Sequence, residues 1–248
     1  MSPAGSVFDP LADAYDAARP SYPDDLYDAI ERLAVPLHDA CVVEVGAGTG
    51  IATTGLRDRG ARVLAVDIGP GMLRRLRQRL PEQPAVLARA EQLPVRGGAV
   101  DLVCAAQAWH WVHPERGPLE VKRVLRRGGA LAVWWNNVRA DGERWYEDQQ
   151  NRLEAMSPGY TRDYREPPMQ DPFTPYFEHV EVFTTHWSRT IRIDAFITWQ
   201  TSKSYVAAIG ERLREYLEAE RASILDAFPD GVITEPFEVR LVVARDRA

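Results

Sequence analysis

Glu44-Val45-Gly46-Ala47-Gly48-Thr49-Gly50 sets a carboxylate and three glycines within one short stretch, where an apolar run gives way to a helical pattern. Glycines let backbone N–H groups approach a ligand, and a helix N-terminus favours negative charge, so such turns often cradle a pyrophosphate. Dinucleotide sites use G-x-G-x-x-G, whereas the spacing here is G-x-G-x-G. Glu44, just ahead of the glycines, would repel a phosphate. The turn therefore suits a nucleoside without phosphates and with a positive charge. Asp67 follows about 20 residues on, where doubly wound folds place an acid on ribose hydroxyls.

A second group with chemical potential is Trp109-His110-Trp111. A histidine with a reference pKa of about 6.5 suits general-base work near neutrality. The competing reading is a histidine held structurally under a lid. In an extended chain the two tryptophans point one way and His110 the other. His110 and His113 do not read as a metal pair, because Pro114 follows at once and no acid lies between them as in a helical H-E-x-x-H signal.

These residues need a scaffold that brings strand ends together. Apolar runs at 41–46, 61–67, 85–88, 100–106 and 130–135 alternate with helical segments at about 50–59, from 70 or 71 to Pro81, and 114–127, the last closed by Gly128-Gly129. Near-continuous apolar strands alternating with helices imply a parallel sheet covered on both faces. Beyond Asn137 the pattern changes. A helix is predicted over 143–156, then an irregular stretch rich in proline and aromatics over 157–177 that suits a lid. Strands return at 180–187 and 237–244, with a helical insertion at about 194–228 whose stripe Leu213, Leu217, Ile224, Phe228 reads as core packing.

The 248 residues are 45% hydrophobic and 27% charged, ordinary for a globular chain that needs no covalent staples. A net charge of −6 gives no electrostatic footprint for nucleic acid. Arg74, Arg75, Arg77 and Arg79 read as a solvated helix face. No apolar run reaches the ~18 residues of a membrane span, and the opening MSPAGSVFDPLADAYD lacks the pattern of a secretory signal. With only two cysteines, Cys41 and Cys104, free thiols and a cytoplasmic setting are expected.

From about residue 8 to 136 the chain resembles the class I S-adenosylmethionine-dependent methyltransferases, of the small-molecule type with an N-terminal segment like YDAARPSYP at Tyr15 to Pro23. The E-x-G-x-G-x-G turn, Asp67 and RVLRRGG in register carry the likeness. The resemblance implies an α/β, doubly wound, mostly parallel seven-stranded sheet with an antiparallel C-terminal strand and a helical cap. It implies S-adenosyl-L-methionine as cofactor, with Glu44, Gly46, Gly48, Gly50, Asp67, Ile68, Ala90, Glu91 and Gln107 around it. Where the family has an acid before the alanine, this chain has Arg89, so Glu91 becomes the candidate for the adenine edge. Tyr15 and Arg19 would close over the methionine portion, Arg19 pairing with its carboxylate. Tyr22, Trp109, His110 and Trp111 would line the acceptor pocket, with His110 as base or substrate contact.

The expected layout is one methyltransferase domain over 1–248, with closing helices at 1–34, the cofactor core at 35–137, a helix and lid at 138–179 and a helical insertion at 188–236. The expected partner is a small-molecule acceptor methylated at O, N or C, with no nucleic acid, membrane or metal. The oligomeric state stays open. The Asn/Asp-Pro-Pro-aromatic tetrapeptide of nucleobase amino methylation is absent after the fourth strand; Glu166-Pro167-Pro168-Met169 lies elsewhere and differs in type. Two alternatives share the same residues: a catalytically silent cofactor-binding protein, since fold does not fix function, and a nicotinamide-dependent oxidoreductase, which the glycine spacing disfavours.

Overall fold

The computed structural model describes residues 19–162 and 172–246. One seven-stranded sheet has the order β3-β2-β1-β4-β5-β7-β6. Strands β1 (Cys41–Val45), β2 (Arg62–Asp67), β3 (Ala85–Leu87), β4 (Val100–Ala106) and β5 (Leu125–Val138) run parallel. β7 (Val232–Arg245) is antiparallel to both β5 and β6 (His179–Arg192). This is the mostly parallel, doubly wound sheet with an antiparallel C-terminal strand that the resemblance implied.

Alternation along the strands builds two cores. On one face α1 (Asp24–Leu33) and α2 (Ile51–Asp58) bury Leu26, Ile30 and Leu56 against Val42, Leu102 and Trp134. Asp24 and Asp25 in the first turn of α1 and Arg32 in its last suit the helix dipole. Truncating Leu26 or Ile30, each 0% exposed, to alanine would cost about 2–5 kcal/mol. On the other face α4 (Arg116–Val124) buries Val121 and Val124 with Val43, Val103, Phe173 and Phe177. The helix α3 (Pro70–Arg79) opens with Pro70 at its first position, where a missing N–H costs nothing.

Several boundaries differ from expectation. α4 starts at Arg116 and stops at Val124, because Leu125 already pairs with Val100. The register then shifts, Ala130 pairing with Leu102, and the backbone turns through Gly128 at φ +76°. β6 and β7 are longer than expected, since residues 188–192 pair with 232–236; the helical insertion occupies 193–231, inside the expected 188–236. It consists of α6 (Ile193–Thr201), α7 (Ser204–Ala207), a 3-10 turn (Gly210–Arg212) and α8 (Leu213–Ala227).

The stripe along α8 also needs correction. Tyr216, Glu220 and Ile224 are its fully buried members, while Leu213, Leu217 and Phe228 are half-buried. A buried carboxylate is tolerable only when paired. Glu220 meets Arg152 Nη2 at 2.6 Å and accepts from Gln149 Nε2 at 2.5 Å, both on α5 (Arg144–Met156). Together α5, α6 and α8 pack on Val138, Ile233 and Phe237. Val138 ends β5, so this cap overhangs the carboxyl edge of the parallel strands. Both cysteines are free thiols. Among the described residues no helix is long and apolar enough to cross a membrane.

Candidate active site

Parallel strands deliver their carboxyl ends to one edge, the general place for ligands in open α/β sheets. After β1 the chain turns through Gly46 at φ +67°, Gly48 at +56° and Gly50 at +87°, a region that glycine enters without steric cost. A Cβ at Gly46 would stand 2.3 Å from the Ala108 Cβ, so that glycine is needed for close packing against the chain beyond β4. A Cβ at Gly48 would meet nothing within 4 Å among the described residues. Open space therefore lies over the middle of the turn.

Asp67 ties this turn to the next. Its Oδ2 accepts from the Gly48 N–H at 2.8 Å and its Oδ1 from the Gly69 N–H at 2.7 Å. Burial raises its pKa, and the backbone N–H groups of Gly69, Gly48 and Ile68 oppose the rise. A carboxylate oxygen has more than one lone pair, so two hydroxyls can still be received. Ile68, just beyond, is 56% exposed at the rim.

Glu44 is 1% exposed at the end of β1. Its Oε2 accepts from the Thr53 hydroxyl on α2, while its Oε1 has no partner among the described residues. Burial pushes its pKa up to about 8, against the Thr53 hydrogen bond and with a smaller push from Asp67. On the same face Tyr22 stands edge-on to Trp134, ring centroids 5.7 Å apart. Burial raises the Tyr22 pKa, Arg19 opposes that rise and Glu44 adds to it. Burial lowers the Arg19 pKa, partly countered by Tyr22. Arg19, Tyr22 and Glu44 thus share one electrostatic neighbourhood. Tyr15 lies outside the described residues.

Beyond β4, Gln107 adopts φ +57° and turns the chain off the strand. Its N–H donates to Trp134 O at 2.9 Å and its Nε2 to Asn136 O at 2.7 Å. Residues Trp109–Trp111 then form a 3-10 turn, not the extended segment expected, because Trp111 N–H bonds back to Ala108 O. The tryptophans consequently diverge. Trp109 is buried on the α4 face against Phe173, away from Tyr22, whereas Trp111 is 60% exposed and its ring lies 4.9 Å from that of His110. The four expected pocket residues are thus split, with Trp109 on the face opposite Tyr22. Desolvation and, less strongly, the Arg19 charge lower the His110 pKa, although the residue keeps an exposed surface. At neutral pH the ring is neutral and able to accept a proton.

Ala90 is buried, and Glu91 Oε1 accepts the His113 N–H at 2.7 Å, which leaves its other oxygen for a ligand. Arg89 is exposed in a bridge with Gln92. His113 Nδ1 receives the N–H groups of Glu115 and Arg116, so it serves the start of α4. Asn136, which sequence reasoning missed, accepts the Trp187 indole N–H on Oδ1 at 3.0 Å. Its only signal was a polar pair, Asn136-Asn137, closing an apolar strand. A groove of about 490 Å³ lies at the amino ends of the strands, lined by Cys41, Val63, Pro84 and Val100 among others. It lies at the end of the sheet opposite to the glycine turn.

A family model for a methyltransferase domain matches residues 43–133. An uncharacterized methyltransferase of Mycobacterium tuberculosis is 38% identical over 192 residues, 77% of this chain and 74% of that protein. A protein described as a type II methyltransferase from Anaeromyxobacter dehalogenans superposes with a TM-score of 0.72 at 24% identity, covering 92% of this chain and 97% of the other. Phosphoethanolamine N-methyltransferase 2 of Haemonchus contortus, solved with S-adenosyl-L-methionine, gives 0.57 at 13% identity over 96% of this chain and 57% of the other, a likeness of fold alone. The chain belongs to the class I S-adenosylmethionine-dependent methyltransferases and is an enzyme of that family.

Proposed function

We propose that this chain holds S-adenosyl-L-methionine over the β1–α2 turn and methylates a small-molecule acceptor in the space between α1, His110 and the cap. The observation that supports this best is the open volume over Gly48, flanked by the fixed carboxylate of Asp67 and the half-satisfied one of Glu44. When bound, this cofactor supplies an electrophilic methyl group on a cationic sulfur. A turn with no phosphate cradle suits that charge, and Glu44, whose pKa of about 8 keeps it protonated at neutral pH, adds a polar group that does not repel it.

In this reading Asp67 accepts the ribose hydroxyls, and Gly46, Gly48 and Gly50 keep the chain low beneath the cofactor. Ile68 and Ala90 flank the adenine, and the remaining oxygen of Glu91 faces its edge. Gln107, held by Asn136 O, lies beside the methionine portion, and Arg19 pairs with its carboxylate. His110, kept neutral by desolvation and Arg19, takes the acceptor's proton. In-line transfer needs the nucleophile about 3 Å from the methyl carbon, so positioning and exclusion of water carry most of the rate. An acidic chain fits a metabolite better than nucleic acid, and its free thiols suit the cytoplasm.

Calorimetric titration with S-adenosylhomocysteine, followed by a methyl-transfer assay over a metabolite panel, tests the proposal. Saturable binding and turnover of at least one acceptor are expected. Failure to bind S-adenosylhomocysteine sinks it, and binding with no transfer to any acceptor turns the reading to a silent cofactor-binding protein.

A further inference from the structure

Asn136 is 7% exposed at the carboxyl end of β5. Its Oδ1 is engaged by the indole N–H of Trp187 at 3.0 Å. An indole nitrogen only donates, so this bond fixes which limb of the amide faces β6. The other limb is Nδ2, a donor that is buried and has no partner among the described residues. Buried polar groups are nearly always paired, so an orphaned amide at a ligand edge points to a missing partner.

The surroundings of Asn136 follow from the sheet. β5 lies between β4 and β7, with β6 beyond β7. On the β4 side Asn136 adjoins Gln107, whose Nε2 donates to the Asn136 carbonyl oxygen at 2.7 Å, and the next residue, Ala108, packs against Gly46 of the glycine turn. Trp134, two residues earlier on the same face, carries Tyr22, whose electrostatic neighbour is Arg19. Ala132 is in register with Cys104 and through it with Glu44. Asn136 stands four residues further along, about 13 Å at about 3.3 Å per residue, on the side roofed by the cap.

We infer that Asn136 Nδ2 is a specificity determinant that reads an oxygen of the methyl acceptor, so that the acceptor is a small carboxylate or phenol-type molecule and not a protonated amine. This rests on the methyl-transfer reading above. An ammonium group offers only donors, and placing donors against a fixed donor discriminates by repulsion. Tyr22 and Trp187, both half-buried, supply aromatic walls for a planar body. Trp187 is a positioning residue in this scheme, since it acts by orienting Asn136.

The test uses the full chain saturated with S-adenosylhomocysteine and titrated with benzoate or benzylamine as matched probes. Benzoate should bind at least about tenfold tighter than benzylamine, a ratio that corresponds to one charge-assisted hydrogen bond. Asn136→Asp should abolish that preference while S-adenosylhomocysteine affinity stays within about threefold, since the bond to Gln107 uses only the backbone oxygen. Trp187→Phe keeps a ring beside Phe237 but frees the amide to rotate, and should narrow the preference to within about threefold. Tighter benzylamine binding, or an Asp variant with undiminished benzoate affinity, overturns the inference. Equal loss of S-adenosylhomocysteine and benzoate overturns it too, by assigning Asn136 to the cofactor. If the unaltered chain binds no S-adenosylhomocysteine, the methyl-transfer reading fails and this inference with it, a result distinct from cofactor binding without oxyanion preference.

Discussion

Glu44→Gln isolates a carboxylate that the fold buries outright. Burial places its pKa at about 8, against an ordinary value of 4.5. The folded chain therefore holds a proton that the unfolded chain releases throughout that interval. The stabilisation from this group is present in full below about pH 4.5 and is lost as pH rises through about 8. At about 1.4 kcal/mol per pH unit, the unaltered chain loses on the order of 2–3 kcal/mol from Glu44 between pH 5 and pH 7. Glutamine has the same shape, keeps an acceptor for the Thr53 hydroxyl and cannot ionise. Its stability curve should lack this slope. Urea unfolding of both proteins without ligand, at intervals from pH 5 to pH 8.5, gives the difference directly, because the other titrating groups cancel between them. The glutamine variant should gain on the unaltered chain steadily as pH rises. A difference that stays constant across the series would falsify the buried-proton account of Glu44.

Asp67→Ala should weaken S-adenosylhomocysteine binding roughly tenfold to thousandfold, the worth of one to two hydrogen bonds to a charged group, and unchanged affinity by calorimetry removes Asp67 from the site. His110→Ala should lower kcat by about 10² to 10⁴ with cofactor affinity retained. The rate of the unaltered enzyme should rise with pH through a pKa below 6.5, because desolvation favours the neutral, active ring. A His110→Gln variant with most of its activity reduces the histidine to shaping the pocket. Gly46→Ala and Gly48→Ala share a left-handed backbone penalty of about 1–2 kcal/mol, but only the first also drives a methyl into Ala108, for a further ~1–3 kcal/mol. Denaturant midpoints should rank Gly46→Ala clearly below Gly48→Ala, and equal midpoints contradict the packing at Ala108.

The cofactor half of the molecule was legible because its constraints are local. A positive φ at Gly46, Gly48 and Gly50 leaves a signature in residue type, and so does an acid at the end of β2. Apolar runs marked β1, β2 and β4 to within a residue because both faces of those strands are covered. The ends of β6 and β7 were illegible for the opposite reason. Arg189, Thr190, Glu235 and Pro236 look like loop residues, yet Arg189 and Glu235 pair across the strands at 2.7 Å beneath the cap. The divergence of Trp109 from Trp111 depends on the left-handed turn at Gln107, a residue that rarely adopts it, and no spacing rule could announce it. Asn136 and Trp187 are 51 positions apart in the sequence, and only the sheet brings them together.

Arg192 and Val232 face each other across the ladder, so the chain leaves the sheet and returns to it at neighbouring points. A segment spliced between them meets the same two ends whatever its length, and doubling a closed loop costs only about 0.6 kcal/mol. No strand has to change its neighbour when that segment is exchanged. The protein is in this sense two parts: a stretch, residues 43–133, that follows a pattern common to a family, and an appendage joined to the sheet at a single junction. The segment can therefore be exchanged at this one junction while β1 to β5 and the glycine turn stay where they are.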